Sequence, residues 1–357
     1  MNVQIGLIGA GGIGGVHLSA AKAAGIPVAA IADVDKVAAK RRAKEHDIPL
    51  VLGDPEALLG LDAVDAVIIG VPNMFHAPLA IKALEAGKDV LVEKPMGLDL
   101  AQCAAMNRAA ARAGRILQVG FVQRYSAVAS TARAFLESGR IGTVYHAKAN
   151  YYRRRGIPGL GGWFTTKALS GGGPLIDLGV HVIDLILHLM GSPRPLRVSG
   201  KVYANFGPRM KAYVYESMWA GPPKLEGTFD VEDAAHALVR FEGGATLELN
   251  TTWAMNFAQD ALPNVMGLFG DRGGLTFQLG GSEVKIATEE QGHNVDLVPL
   301  VRKTDAFAAQ LVDFVANCEH RTPPHASGRA GQTVQAVIDA IYESSEKDRE
   351  VEVDLEA

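Results

Sequence analysis

The sequence predicts an N-terminal α/β domain built on a doubly wound parallel sheet, residues 1–122, followed by a C-terminal α+β domain with a large, mainly antiparallel open sheet, residues 123–357. Three observations lead there. At 357 residues the chain exceeds what one core usually absorbs. Up to Phe121, short apolar runs alternate with alanine-rich helical stretches. Beyond it the runs lengthen, alternate in polarity and are separated by glycine turns.

In the first part, residues 3–8, 28–32, 66–71, 89–92 and 116–119 are nearly continuous in Val, Ile, Leu and Ala, as parallel strands covered on both faces must be. Residues 14–24, 37–45, 78–86 and 100–113 carry helical periodicity, and two of these stretches stop at a glycine, Gly25 or Gly87. Strand–helix–strand alternation of this kind builds a doubly wound sheet. After a helix over 128–138 come alternating segments at 143–152, 197–206, 234–241, 246–253, 265–270 and 283–288, with tight turns at 242–244 and 271–274. Helices around 307–318 and 332–345 close the chain. Few helices remain to cover this sheet, so a large apolar face is expected to be buried in a homo-oligomer. Two long loops rich in Gly and Pro, 153–162 and 208–229, have the length typical of binding loops.

Composition narrows the function. With 48% hydrophobic and 21% charged residues the chain is not disordered. A net charge of −4 provides no global basic field for nucleic acid or acidic membranes, and Arg41-Arg42 and Arg153-Arg154-Arg155 read as solvated faces. Cys103 and Cys318 form no CxxC, which argues against a disulfide framework or zinc site and for a reducing compartment. No apolar run approaches the roughly 20 residues needed to span a bilayer, so a cytoplasmic protein is expected.

Gly9-Ala10-Gly11-Gly12-Ile13-Gly14 follows the first strand and opens a helix. Gly9 permits the tight turn, Gly11 lets backbone approach a pyrophosphate, and Gly14 lets helix and strand pack closely, while the helix N-terminus presents N–H groups to phosphate. Strand, glycines, helix and second strand in this order form a dinucleotide-binding Rossmann fingerprint. Asp33 ends the second strand, where a carboxylate grips ribose hydroxyls and repels a 2′-phosphate, so NAD is expected rather than NADP. The alternative for Asp33 is a cap on the following helix.

Further residues lie at the carboxyl ends of later strands, where open α/β sheets bind ligands: Val71-Pro72-Asn73-Met74-Phe75-His76, and Glu93-Lys94-Pro95. A lysine there can stabilise a developing alkoxide, although a single Lys-Pro at a strand end also reads as a simple turn. Downstream, Asp177 and His181 stand four apart in a helix that begins at Pro174, hence on one face. On these residues alone, an intrahelical Asp–His pair on a buried face is the stronger reading.

The motifs GLIGAGGIGGVH (6–17), ADVD (32–35), VPNMFHAPLAIKALEAGKDVLVEKP (71–95), GFVQRY (120–125), SGGGPLIDLGVHVIDL (170–185) and EDAAHALVRFEGGATLEL (232–249) resemble, almost end to end, the family of glucose-fructose oxidoreductase and inositol dehydrogenase. The resemblance implies that Lys94 touches the substrate hydroxyl beside the nicotinamide, with a cis peptide before Pro95, and that Asp177 and His181 are the catalytic acid and histidine. It further implies that Val71, Pro72, Asn73, His76 and Glu93 line the cofactor with Gly9, Gly11, Gly12, Ile13, Gly14 and Asp33. Gln123 and Arg124 match the segment bordering the second domain, Gln123 toward cofactor and Arg124 toward substrate. Histidine suits proton removal from a secondary alcohol because its pKa lies near 6.5. No metal is expected: Asp177, His181, Asp184 and His188 share spacing but match no ligand motif.

Sugars and cyclitols are the family's usual substrates, so an NAD-dependent dehydrogenase of a sugar, cyclitol or glycoside is expected. Tyr152, Arg154, Trp163 and Lys167 precede the catalytic helix and offer an aromatic wall and cations for a polyhydroxylated ring, or else an ordinary surface loop with core anchors. Some relatives are glycosidases that oxidise a ring carbon transiently, and at least one is a dinucleotide-sensing regulator, which would not need Lys94, Asp177 and His181 together. Relatives also imply that the open sheet builds homodimers or homotetramers.

Overall fold

The computed structural model describes residues 3–356 apart from 217 and 259. They fold as two compact units. The first takes residues up to Tyr125, Thr304–Gln332 and Glu356; the second takes Ser126–Lys303 and Thr333–Leu355. The single cut at 122/123 read from the change of texture therefore misses a return of the chain to the first unit.

The first unit runs β1 (Ile5–Ile8), α1 (Gly12–Ala24), β2 (Val28–Ala32), α2 (Lys36–Glu45), β3 (Leu50–Leu52), α3 (Pro55–Leu59), β4 (Ala66–Ile69), α4 (His76–Glu85), β5 (Asp89–Val92), α5 (Leu100–Ala113) and β6 (Leu117–Val119). All strand pairs are parallel, in the order β3-β2-β1-β4-β5-β6. This is the doubly wound Rossmann order, which opens a ligand crevice at the carboxyl ends of β1 and β4. Every residue of β1, β4 and β5 is buried, as expected for strands sandwiched between helices. The short β3 and α3 were not anticipated; β3 is half-exposed and only three residues long, too little to carry a period.

The returning segment explains the interleaved boundary. Helix α9 (Ala306–His320) places Leu311, Phe314, Val315 and Cys318 in the same buried cluster as Ile5 and Leu7 of β1 and Leu18 and Ala21 of α1. An apolar face of that size is stabilised only where it finds a complementary core, whatever its position in sequence.

The second unit runs α6 (Ala127–Glu137), β7 (Val144–Tyr152), α7 (Lys167–Ser170), a π-helical turn (Leu175–Gly179), α8 (Val180–Leu189), β8 (Pro195–Tyr203), β9 (Ala234–Phe241), β10 (Thr246–Thr252), β11 (Met266–Gly270), β12 (Gly273–Phe277), β13 (Val284–Glu290) and β14 (His293–Leu297). Most of helix α10 (Gly328–Lys347) and strand β15 (Val351–Glu352) complete it. Its sheet has the order β14-β13-β12-β11-β7-β10-β9-β8-β15 and is antiparallel except at β7–β10. Gly273 and Gly274, expected in a turn, begin β12 instead; only Asp271 and Arg272 form the connection.

The sheet's two faces differ from expectation. Ala147, Ala149, Leu247, Leu249 and Val239 are fully buried on one side. The opposite side is not a large apolar surface but a cross-strand polar ladder. There the His146 ring bonds the Thr246 hydroxyl at 2.9 Å, Lys148 meets Glu248 at 3.0 Å, and Asn250 donates to Asn150 at 2.9 Å. The His236 ring meets the Asn250 carbonyl oxygen at 2.6 Å. Each partner sits directly opposite in the register of β7, β10 and β9.

One stretch, Lys167–Leu189, is long and apolar enough by composition to cross a membrane, contrary to the sequence reading. The fold buries 83% of its most apolar window, as expected of a core helix.

The glycines at the β1–α1 junction separate two constraints. A Cβ on Gly14 would lie 2.0 Å from the Gly9 carbonyl oxygen, whereas one on Gly11 would meet nothing within 4 Å. Gly14→Ala is expected to lower the thermal midpoint by about 4 °C or more, because backbone must move. Gly11→Ala is expected to leave it unchanged; equal midpoints for both variants would contradict the packing described.

Candidate active site

Helix α1 opens at Gly11 without a side-chain cap. Its first-turn N–H groups and positive end therefore face the open space over Gly11 and Gly12. Gly9 adopts φ 108°, and a Cβ there would strike the Gly70 carbonyl at 2.3 Å, so the turns after β1 and β4 touch through backbone. Asp33 stands at the end of β2. Its Oδ2 accepts from Ala10 N–H at 2.6 Å and its Oδ1 from Asp35 N–H at 2.7 Å. The cap on α2 is Asp35, which accepts from Val37 and Ala38, so Asp33 is not the helix cap. A glycine cradle left open where a Cβ would fill it, a helix N-terminus and an acid at the second strand end fit a dinucleotide with unphosphorylated ribose.

A second turn of this unit is braced from both ends. The Glu93 carboxylate meets buried His17 Nε2 at 2.7 Å through Oε1 and accepts from Lys94 N–H at 3.1 Å through Oε2. The Lys94–Pro95 peptide is cis. His76 Nδ1 lies 2.7 Å from the Pro95 carbonyl and its Nε2 2.8 Å from the Val71 carbonyl. A neutral ring donates to only one of them at a time, and burial pulls the His76 pKa below the usual 6.5. His76 is 1% exposed, so it ties the loop after β4 to the loop after β5. Asn73 is buried beside it in sequence, in the short 3₁₀ turn Asn73–Phe75. Gln123 and Arg124 lie in the 3₁₀ turn Val122–Tyr125. Arg124 is buried, donates to the His325 carbonyl and lies 5.6 Å from the Phe121 ring.

In the second unit, the helix expected from Pro174 begins as the π-helical turn and becomes α-helical only at Val180. Such turns insert an extra residue and often mark functional sites. Asp177 sits at its centre, buried, and its Oδ2 accepts from the Trp253 indole N–H at 2.9 Å. Arg153 approaches the same oxygen at 3.9 Å. His181 follows in the first turn of α8 and is half-buried.

Sequence reasoning missed Trp253. The only signal was a tryptophan ending an alternating strand, which reads equally as a core anchor. It belongs to a buried cluster with Ile157, Leu160, Phe164, Leu178 and Phe206. Trp163 stacks on Phe164 with centroids 3.8 Å apart, and Trp219 meets Phe164 edge-on at 5.1 Å.

The arginine run divides. Arg153, not Arg154, reaches Asp177; Arg154 pairs with Glu216 at 3.0 Å, and Arg155 donates to the Met255 carbonyl and Asn256. Tyr152 N–H donates to Asn264 at 2.6 Å, and burial pushes its phenol above the usual 10. Lys167 Nζ lies 5.9 Å from the Tyr342 ring centre. Among the described residues no cluster of three or more His, Cys, Asp or Glu could hold a metal ion.

Over 354 residues the chain is 28% identical to D-glucoside 3-dehydrogenase of Escherichia coli (strain K12), covering 98% of this chain and 97% of that one. It is 28% identical to scyllo-inositol 2-dehydrogenase (NAD(+)) of Bacillus subtilis (strain 168) over 323 residues, 88% of this chain and 86% of the relative. The fold matches levoglucosan dehydrogenase in complex with NADH and levoglucosan with a TM-score of 0.88 at 22% identity, over 99% of this chain and all of that one. Residues 3–121 match the NAD-binding Rossmann domain of the GFO/IDH/MocA oxidoreductase family and residues 129–276 its C-terminal domain. The chain is thus an NAD-binding oxidoreductase of the sugar and cyclitol dehydrogenase type and belongs to the GFO/IDH/MocA family.

Proposed function

We propose that the protein oxidises a secondary alcohol of a sugar, cyclitol or glycoside, with Lys94 binding the reacting oxygen and His181 acting as general base. The observation that carries this reading is the construction of the Asp177–His181 turn. A buried carboxylate, held by an indole N–H, stands one turn before a half-buried histidine. When bound, NAD accepts the hydride released from the carbinol carbon. Lys94 donates a hydrogen bond to the hydroxyl oxygen and stabilises its developing negative charge. His181 takes the hydroxyl proton, near neutral pH, onto its ring. Asp177 orients the substrate through a neighbouring hydroxyl or steadies the imidazolium that forms. Glu93 and His76 hold the backbone on either side of Lys94 through their bonds to Lys94 N–H and the Pro95 carbonyl.

The relative that oxidises a glucoside at carbon 3 favours a pyranose ring as substrate. Trp163 offers an aromatic face, and Arg153 a guanidinium beside Asp177. We infer a cytoplasmic location from the two buried cysteines, neither of which forms a disulfide. We also infer a homodimer or homotetramer formed through the polar ladder, whose half-buried residues are paired with one another across the strands.

Lys94→Ala and His181→Ala are each expected to cut kcat about 100-fold or more while NAD affinity is retained. Near-normal turnover in both would refute the assignment. Gly11→Ala, which should fold, is expected to lose NAD affinity in titration; retained affinity would place the cofactor elsewhere. A screen of sugars, inositols and glycosides should give NADH in proportion to substrate consumed. Sugar release from glycosides without NADH would show transient oxidation and elimination instead. Sedimentation should give a dimer or tetramer, and a concentration-independent monomer would contradict the assembly.

A further inference from the structure

We propose that Glu232 is a positioning residue for the catalytic turn, acting through backbone N–H groups and not on substrate; this rests on the reading of Asp177 and His181 given above. Glu232 is 6% exposed, two residues ahead of β9. Its Oε1 accepts three hydrogen bonds: from Gly173 N–H at 2.9 Å, from Leu175 N–H at 3.1 Å and from the Tyr342 hydroxyl at 2.9 Å. The first two donors lie two residues before and at the start of the π-helical turn, where a helix leaves N–H groups without intrahelical partners. The carboxylate therefore fixes where the turn begins, and Asp177 hangs from it through its own N–H bond to the Gly173 carbonyl at 2.9 Å.

The next residue holds Trp253, a side-chain partner of Asp177. The Asp233 carbonyl accepts from Trp253 N–H at 2.9 Å, and the Asp233 carboxylate accepts from Phe206 N–H at 2.6 Å. Trp253 in turn donates its indole N–H to Asp177. Two consecutive residues thus set both the backbone beneath Asp177 and the side chain that orients it.

The glycine run before the turn is shaped to this end. A Cβ on Gly173 would lie 2.0 Å from the Glu232 carbonyl oxygen, and one on Gly172 would lie 2.0 Å from the Tyr342 hydroxyl. Gly172 and Gly173 are the space into which the Glu232–Tyr342 pair fits. Burial raises the Glu232 pKa, its hydrogen-bond donors pull it back, and the Tyr342 phenol is pushed well above its usual 10 by burial and by the facing carboxylate. With three donors on one oxygen, Glu232 is committed to the turn and to Tyr342.

The test compares Glu232→Ala with Glu232→Gln in the full-length protein, using the best substrate from the screen. The amide oxygen of glutamine still accepts from Gly173 and Leu175, whereas alanine abandons both. If Glu232 positions the turn, alanine should lower kcat about 100-fold with KM for NAD unchanged, the scale expected for ångström-level misplacement of a catalytic group. Glutamine should restore at least about 10-fold of that loss, as the net strength of one or two hydrogen bonds allows. Wild-type kcat in the alanine variant, or equal losses in both, would overturn the proposal. Should Glu232→Ala fail to fold, Tyr342→Phe carries the test, with an expected fall in kcat of about 3- to 10-fold for one lost hydrogen bond. Unchanged kcat in that variant would overturn it too. His181→Ala in the same series separates the two readings. An active His181→Ala condemns the catalytic assignment itself, whereas an inactive one beside a normal Glu232→Ala condemns only the positioning role.

Discussion

A carboxylate taken out of water is costly unless its oxygens accept hydrogen bonds, and the functional turns in both units are organised around meeting that demand. Asp33 accepts from Ala10 in the glycine turn, Glu93 from Lys94, and Glu232 from Gly173 and Leu175. Asp177 accepts from an indole. In each case the donor belongs to the segment that must be held still, so the same bond that satisfies the acid also fixes the turn. Backbone N–H donors serve this better than lysine or arginine side chains. They carry no rotamer entropy of their own, and they tie the acid to chain geometry rather than to a flexible partner.

The glycines make that arrangement reachable. Gly9, Gly14, Gly172 and Gly173 each leave a gap that a Cβ would close against backbone or a hydroxyl at 2.3 Å or less. Gly11 and Gly12 differ, since nothing lies within 4 Å of the missing Cβ. The first group admits the protein's own atoms; the second leaves open space before the start of α1. A sequence motif prints the same letter for both, and only the surrounding packing tells them apart.

The same distinction between local pattern and distant packing decides what is legible in the sequence. Strands Val28–Ala32, Asp89–Val92 and Ala234–Phe241 and helix Leu100–Ala113 fall where their periodicity puts them, because burial on a regular element leaves a regular pattern. The polar ladder is not legible. Alternation shows that a strand has two different faces, but His146, Asn150, His236 and Asn250 become one hydrogen-bonded surface only through cross-strand register. Trp253 and Glu232 escape sequence reasoning for a similar reason. Each lies roughly 60–80 residues from what it holds, and neither spacing nor composition records such a contact. Asp177 and His181 stand out as a pair because helical spacing is local, yet the π-helical turn beneath them does not, since it depends on those same distant partners.

Trp253 also bears on the chemistry. Indole is a hydrogen-bond donor only, so Asp177 Oδ2 meets it as an acceptor whether or not the carboxyl is protonated. The surrounding cluster of Ile157, Leu160, Phe164, Leu178 and Phe206 excludes water and lowers the local dielectric. At 3.9 Å, Arg153 stabilises the negative charge over distance while the indole fixes its direction. Trp253 and Arg153 thus act differently on Asp177, one through a directed bond and the other through a charge at longer range. Under the proposed chemistry, in which His181 gains a proton, that division would serve better than a single close ion pair, because a carboxylate directed by a neutral donor keeps its charge for the imidazolium.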